Sequence, residues 1–298
     1  MKQDARYARL SYILSMIIYG TIGLVRRWLP VSSSFLAMSR GLIGVLFLLL
    51  YRKVRGQHMD MARLRPHLLP LILSGAIMGF NWVLLFEAYN YTTVAVATLC
   101  YYMAPVFLTL ISPFLFHEKL TPARCVCILL ALVGMVFLSG VLEQQETSPD
   151  HVKGILMGLA AAVLYACVVC LSKKAKGPDP MDKTLVQLAA SFIVVLPYTL
   201  LTGGFSDLSF TPQVVTLLLV AGIVHTGIAY LLYFSSMDRL DAQVIAIYSY
   251  LDPVTAVILS CTLLGESLSM FGVIGAFLIL SSTFLGDAWD RRRNSATN

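Results

Sequence analysis

Ten apolar stretches separated by short polar connections run along the chain, at about 10–28, 33–51, 67–89, 92–116, 122–142, 153–173, 184–202, 212–237, 241–264 and 269–287. A helix needs about 20 apolar residues to cross the hydrocarbon of a bilayer, so each stretch has the length of one crossing. In lipid every backbone N–H and C=O must be bonded within the protein, which leaves helices and closed barrels as spanning structures. Barrel strands are about half as long and alternate in polarity, so these stretches read as helices. The expected fold is an all-α integral membrane protein with ten transmembrane helices. Composition agrees, since 58% of the 298 residues are hydrophobic and only 13% are charged. That is too few charges to cover a water-soluble surface and too much apolar surface for a disordered chain. A water-soluble enzyme is excluded, and no polar stretch is long enough to fold as a catalytic domain.

The first stretch follows Lys2, Arg6 and Arg9, as the core of a signal peptide would. It ends in Arg26-Arg27-Trp28-Leu29-Pro30 instead of the small residues of a cleavage site, so it reads as a retained span. Orientation follows from the basic residues, which concentrate in cytoplasmic loops. One set of connections and termini carries 18 of the 22 lysines and arginines; the opposite set carries only Arg26, Arg27 and Lys153, and Arg40 lies within a span. Both termini are therefore expected in the cytoplasm, with the chain in the plasma membrane of a bacterium (the inner membrane). The same scatter of basic residues over many short loops is a topology signal, and it argues against a nucleic-acid partner.

The second half repeats the first. Tyr102-Met103-Ala104-Pro105-Val106 matches Tyr250-Leu251-Asp252-Pro253-Val254, an offset of 148 residues. The same ungapped register pairs Gly79 with Gly227, Phe86 with Phe234, Val96 with Val244, Ser112 with Ser260 and Glu118 with Glu266. The expected division is a five-helix repeat at 1–142, a second at 153–287 and a basic cytoplasmic tail at 288–298. Five is odd, so the second repeat enters the membrane from the opposite side. Such inverted repeats are the architecture of many secondary transporters, where two similar halves exchange conformations around a central site.

Five plus five spans, the aromatic-x-x-Pro-Val of spans four and nine, and the turns Phe116-His117-Glu118-Lys119-Leu120-Thr121 and Leu264-Gly265-Glu266-Ser267-Leu268-Ser269 together resemble the drug/metabolite transporter superfamily, specifically its EamA-type members. The resemblance covers nearly the whole chain. It implies export of amino acids, amines, nucleobases or other small metabolites, driven by a proton gradient or by the solute's own gradient. The two halves depart from equivalence at one place, where Ala104 stands opposite Asp252.

Ionisable residues inside the spans are costly and therefore informative. Asp252 falls at the middle of span nine and His225 at the middle of span eight, with Arg40 a few residues outward of the centre of span two. A carboxyl at that depth needs a proton or a cation upon it, and a group that takes either can exchange one for the other. Asp252 is the first candidate for binding and coupling, and His225 the second. Glu87 is nine residues from the centre of span three, about 13 Å at a rise of about 1.5 Å per residue, which suits an outer gate. Pro105 and Pro253 interrupt equivalent helices beside the expected cavity and read as hinges. Trp82, Tyr19, Tyr101, Tyr102, Tyr165, Tyr230, Tyr248 and Tyr250 lie near mid-depth and could cage an amine through cation–π contacts, with Asn81 orienting a polar group. Glu118 and Glu266 read as structural, each just ahead of a hydroxyl residue, Thr121 or Ser269, that can cap the next helix.

The expected function is a secondary active exporter of small polar metabolites such as amino acids or amines, working by alternating access with spans one, three, four, six, eight and nine along the path. Its expected partners are a small-molecule substrate, the lipid bilayer and protons, as a monomer or homodimer. No cofactor or metal site is expected: His58, His67, His117 and His151 sit on separate loops, and Cys167-x-x-Cys170 lies inside an apolar helix. A passive channel or lipid scramblase would show transport that does not saturate. A membrane-embedded transferase would need acidic or histidine residues clustered at one face.

Overall fold

A computed structural model describes residues 2–116, 122–138, 148–206, 208–237, 240 and 248–296, with side chains for most of them. Among the described residues every regular element is helical. Span one is broken into α1 (Lys2–Gly20) and α2 (Ile22–Trp28). Span two is α3 (Ser33–Arg55), followed by a short α4 (Met61–Leu64) and a tight turn at Arg65–His67. Span three is α5 (Leu68–Tyr91), and span four is again broken, into α6 (Val94–Tyr101) and α7 (Ala104–Phe116). Then come α8 (Pro122–Leu138), α9 (Pro149–Lys174) and α10 (Pro180–Leu201). Span eight begins as α11 (Pro212–Leu219), widens into a π-helical turn at Val220–Ile228 and resumes as α12 (Ala229–Met237). The chain closes with α13 (Leu251–Leu263) and α14 (Met270–Ala296).

Six helical runs are long and apolar enough to cross a membrane, and four shorter apolar helices at Val94–Leu108, Cys125–Leu138, Leu251–Leu263 and Met270–Ser282 supply the remainder. Together they account for the ten stretches read from the sequence.

Local chemistry sets the helix starts. The side chains of Ser32, Thr93, Ser148, Asp179, Thr211 and Ser269 each accept a hydrogen bond from a backbone N–H two or three residues on, as N-caps do. Proline occupies the first turn of α9, α10 and α11, where its missing N–H costs nothing.

The halves interlock instead of folding side by side. From the first half, α5 packs along α9 and α10, α3 along α10 and the π-helical turn, and α1 along α12 and α13, while α8 pairs with α14. Small residues let these backbones touch. A Cβ on Gly275 would lie 2.5 Å from the Gly134 carbonyl oxygen and 2.7 Å from the Leu138 nitrogen. Overpacking costs about 1–3 kcal/mol, so Gly275→Leu should lower the unfolding midpoint of the purified protein in detergent. An unchanged midpoint would mean that α8 and α14 do not meet there. Around the outside, Leu46, Leu50, Leu69, Leu129, Leu156, Ile193, Leu201 and Phe277 are exposed. This apolar belt is the lipid-facing surface.

Candidate functional site

Among the described residues, spans one, four, eight and nine are interrupted, and the interruptions converge. In span four the helix stops at Tyr101 and restarts at Ala104, which puts Pro105 in the first turn of α7. In span nine α13 begins at Leu251 after Tyr250, so Asp252 and Pro253 occupy its first turn. Both prolines thus begin a new helical segment, where a missing N–H is harmless, instead of kinking a continuous one. Span one breaks at Thr21. There Gly20 lets α1 come so close to α13 that a Cβ on it would stand 2.5 Å from the Asp252 carbonyl oxygen. In span eight the π-helical turn carries His225 and Thr226, and such turns gather at functional sites.

Between these breaks lies a cavity of about 420 Å³. Its wall draws on spans one, three, four, six, eight and nine, as expected, and also on span two through Arg40 and span seven through Thr184 and Gln187. Of the residues singled out from the sequence, Asp252, Trp82, Tyr19, Tyr101, Tyr102, Tyr165, Tyr230, Arg40 and Pro105 line it. Tyrosines dominate, with the rings of Tyr19 and Tyr230 5.9 Å apart, those of Tyr101 and Tyr165 5.4 Å apart, and Tyr12 stacked on Tyr233 at 5.6 Å. Tyr12, Tyr233 and Gln187 are wall residues that sequence reasoning missed.

The charged side chains on this wall, among the described residues, are Asp252 and Arg40. The Tyr102 hydroxyl faces the Asp252 carboxyl and stands 3.4 Å from the Ser249 carbonyl oxygen. Arg40 is 6% exposed. Its guanidinium lies 4.4 Å over the Trp82 ring and 5.3 Å over Phe86, and its Nε donates to the Thr226 hydroxyl at 3.1 Å. Thr226 in turn donates to the Ala221 carbonyl five residues back, a reach that belongs to the π-helical turn.

The other expected site residues stand off the cavity. His225 is buried behind it: Nδ1 donates to the Val220 carbonyl at 3.1 Å, and Nε2 lies 2.8 Å from the Thr21 hydroxyl. It ties the break of span one to the turn of span eight. Asn81 donates to the Ala161 carbonyl at 2.5 Å and holds α5 against α9, with the Tyr101 hydroxyl 3.5 Å from its oxygen. Tyr248, Tyr250 and Pro253 are not on this wall, and the Tyr250 ring meets Phe284 at 5.9 Å. Glu87 accepts from Ser33 at 2.6 Å and from Asn90 at 3.1 Å. These partners join a knot around buried Arg26, which donates to the carbonyls of Phe86, Leu29 and Val31 and to Ser33 and Asn90.

Each end of the bundle carries an ion pair that joins the halves. At one end Arg52 pairs with Asp182, donates to the His58 carbonyl at 2.6 Å, and Asp182 accepts from the Asp60 N–H at 3.2 Å. At the other, Glu266 pairs with Arg27 at 2.7 Å, accepts the Val94 N–H at 2.8 Å and accepts from Ser260. The sequence assigned Glu266 to its own following helix, but Ser269 alone caps α14 through the Gly272 N–H. Glu266 instead reaches across to the start of α6, because the turn at Gly265 (φ 65°) carries it there. Its repeat mate Glu118, with Thr121, lies outside the described residues. Glu266→Gln keeps an acceptor for Val94 and loses only a pair with Arg27, a third of whose side chain is exposed, so a cost of about 0–1 kcal/mol is expected. Glu266→Ala leaves Val94 without its acceptor at about 1–3 kcal/mol. Thermal unfolding of the two variants in detergent should rank them in that order, and equal midpoints would remove the capping role.

A ten-span bundle of two interlocked halves around a tyrosine-walled cavity is the construction of a membrane transporter. The model of the EamA-like transporter family matches residues 7–140 and again 152–285, and the chain belongs to that family. The "Uncharacterized transporter YxxF" of Bacillus subtilis is 29% identical over 278 residues, 93% of this chain and 88% of the relative. A "Probable amino-acid metabolite efflux pump" of Salmonella typhimurium is 29% identical over 65% of this chain and 67% of its own length. A "Biotin transporter" of the same organism is 23% identical over 90% and 91%. Among solved structures, one titled "Crystal structure of protein" superposes with a TM-score of 0.63 at 23% identity, covering 96% of this chain and 98% of its own, which shows the shared fold. The chain is a multi-pass membrane transporter and not an enzyme.

Proposed function

We propose that the protein is a secondary active exporter of small polar metabolites bearing a cationic group, amines or amino acids, and that it exchanges them for protons by alternating access. The observation that carries this reading is the placement of Asp252 on the wall of a tyrosine-lined cavity between the halves. A carboxyl there accepts an ammonium or a proton, and loading one displaces the other. The surrounding tyrosine faces add cation–π attraction and admit an apolar side chain. The efflux-pump relative supports amino acids as cargo.

The basic loops assign the Arg52 end and both termini to the cytoplasm of the inner membrane, with the repeats divided at 1–142 and 153–287 and the tail 288–298 inside. On that assignment the cavity loads from the cytoplasm. Tyr165 and Gln187 line it and also line a shallow pocket with Lys176 and Lys183 at that end, while the Arg27–Glu266 pair closes the outside. His225 and the broken starts of α7 and α13 are the coupling elements, because a shift of one break moves the others through Thr21 and Gly20. Glu87 holds the outer knot, and the carrier works as a monomer or homodimer.

Uptake of labelled amino acids, amines and nucleobases into proteoliposomes, with and without an acid interior, tests the reading. Saturable uptake raised by the gradient supports it. Saturable uptake indifferent to the gradient would retire the proton, and uptake that never saturates would point to a channel or scramblase.

A further inference from the structure

Arg40 is a buried cation with one side-chain hydrogen bond among the described residues. Its guanidinium is buried, and burying an unpaired charge is expensive. The rings of Trp82 and Phe86 offset part of that cost, and Thr226 satisfies Nε. No carboxylate pairs with Arg40 among the described residues, Asp252 included. Its two terminal nitrogens carry no hydrogen bond to those residues, yet Arg40 is part of the cavity wall. A packing role would be served by an apolar side chain, and a permanent structural charge would have a partner. Here the guanidinium lies over Trp82 with its Nε held by Thr226, and its two terminal nitrogens remain for a ligand.

We propose that Arg40 is an anion subsite within the central cavity and that it binds the carboxylate of the transported solute, making the cargo zwitterionic. Two parallel N–H groups at the end of a guanidinium match the two oxygens of a carboxylate, and a lysine could not reproduce that fork. A phosphate would fit the fork as well, but the same wall carries Asp252, which opposes a doubly charged anion. One cation and one carboxyl on the wall complement a solute with one of each and no net charge. Thr226 is then a positioning residue, fixing the guanidinium from the π-helical turn, so solute binding at Arg40 bears directly on the interrupted part of span eight. This inference rests on the carrier reading above and narrows its cargo from amines in general to molecules that also carry a carboxylate.

The test uses sets of three matched probes in proteoliposomes: phenylalanine, phenethylamine and 3-phenylpropionate, and the corresponding leucine, isoamylamine and 4-methylpentanoate. The amino acids should be taken up in preference to both truncated forms. Arg40→Gln should raise KM for the amino acid so that its ratio to the KM of the matched amine shifts at least tenfold. Thr226→Val should shift the same ratio in the same direction, less far, which keeps the test alive if Arg40→Gln does not fold. Equal losses for amino acid and amine would make Arg40 structural and overturn the proposal. Uptake of amines alone would overturn it while leaving the carrier reading intact. Uptake of carboxylates alone would overturn the zwitterionic cargo and the role of Asp252 together, and no saturable uptake of any probe would sink both readings.

Discussion

Asp252→Asn is expected to abolish proton-driven accumulation while leaving a folded, inserted protein. Asparagine has nearly the shape of aspartate and can still accept a bond from the Tyr102 hydroxyl that faces Asp252, so the cavity should survive. What disappears is the one group on its wall, among the described residues, that can exchange a proton for a cation. The direction is set by antiport, since protons leaving an acidic vesicle drive solute inward. One pH unit corresponds to about 1.4 kcal/mol, which supports about tenfold accumulation at one proton per solute. Wild-type vesicles, acid inside, with the membrane potential held at zero by potassium and valinomycin and supplied with labelled phenylalanine, should approach that value, while vesicles with Asp252→Asn should stop at equal concentrations. Accumulation by the variant as high as by the wild type would remove Asp252 from the mechanism. Protein-free vesicles correct for passive trapping.

The second large effect is on stability. Asp182 is 1% exposed and Arg52 8%, and their pair joins the end of α3 to the start of α10 across the halves. Removing one member leaves the other as a buried charge, which costs about 3–5 kcal/mol. Arg52→Met should therefore lower the unfolding midpoint far more than any exposed charge change. Asp182→Leu alone should do the same, since it strands Arg52. Combining the two should recover much of the loss, because an apolar pair needs no compensation. Additive losses in the double variant would show that the two residues do not depend on each other.

Depth along each helix was legible in the sequence, and direction around it was not. The ten stretches, the 148-residue repeat and the mid-depth position of Asp252 follow from apolar length and spacing alone. The breaks at Pro105 and Pro253 were legible because proline has a fixed backbone consequence. The break at Thr21 and the π-helical turn at Val220–Ile228 were not, since they depend on the neighbours that Gly20, His225 and Thr226 meet. Helices such as α5 and α9 are apolar nearly all round, so periodicity marks no inward face. That is why Asn81, one residue from Trp82, was expected in the cavity and instead pins α5 to α9. Tyr12 and Gln187 lie near the ends of their stretches, where tyrosine and polar residues ordinarily mark the lipid interface, so their place on the cavity wall carries no signal in the sequence. Glu266 misled because a capping role within its own turn is local, whereas its actual partners, Arg27 and Val94, lie far away in sequence.

In the proposed mechanism the cavity between the halves is the transport site and opens to each side in turn. Ser249 lies on its wall beside the break of span nine, so Ser249→Cys in a background without the six native cysteines provides a reporter. A membrane-impermeant thiol reagent applied to right-side-out and to inside-out vesicles measures access from each face. Alternating access requires labelling from both faces, with a transported solute changing the two rates in opposite directions. Labelling from one face only, unaltered by any transported solute, would contradict it.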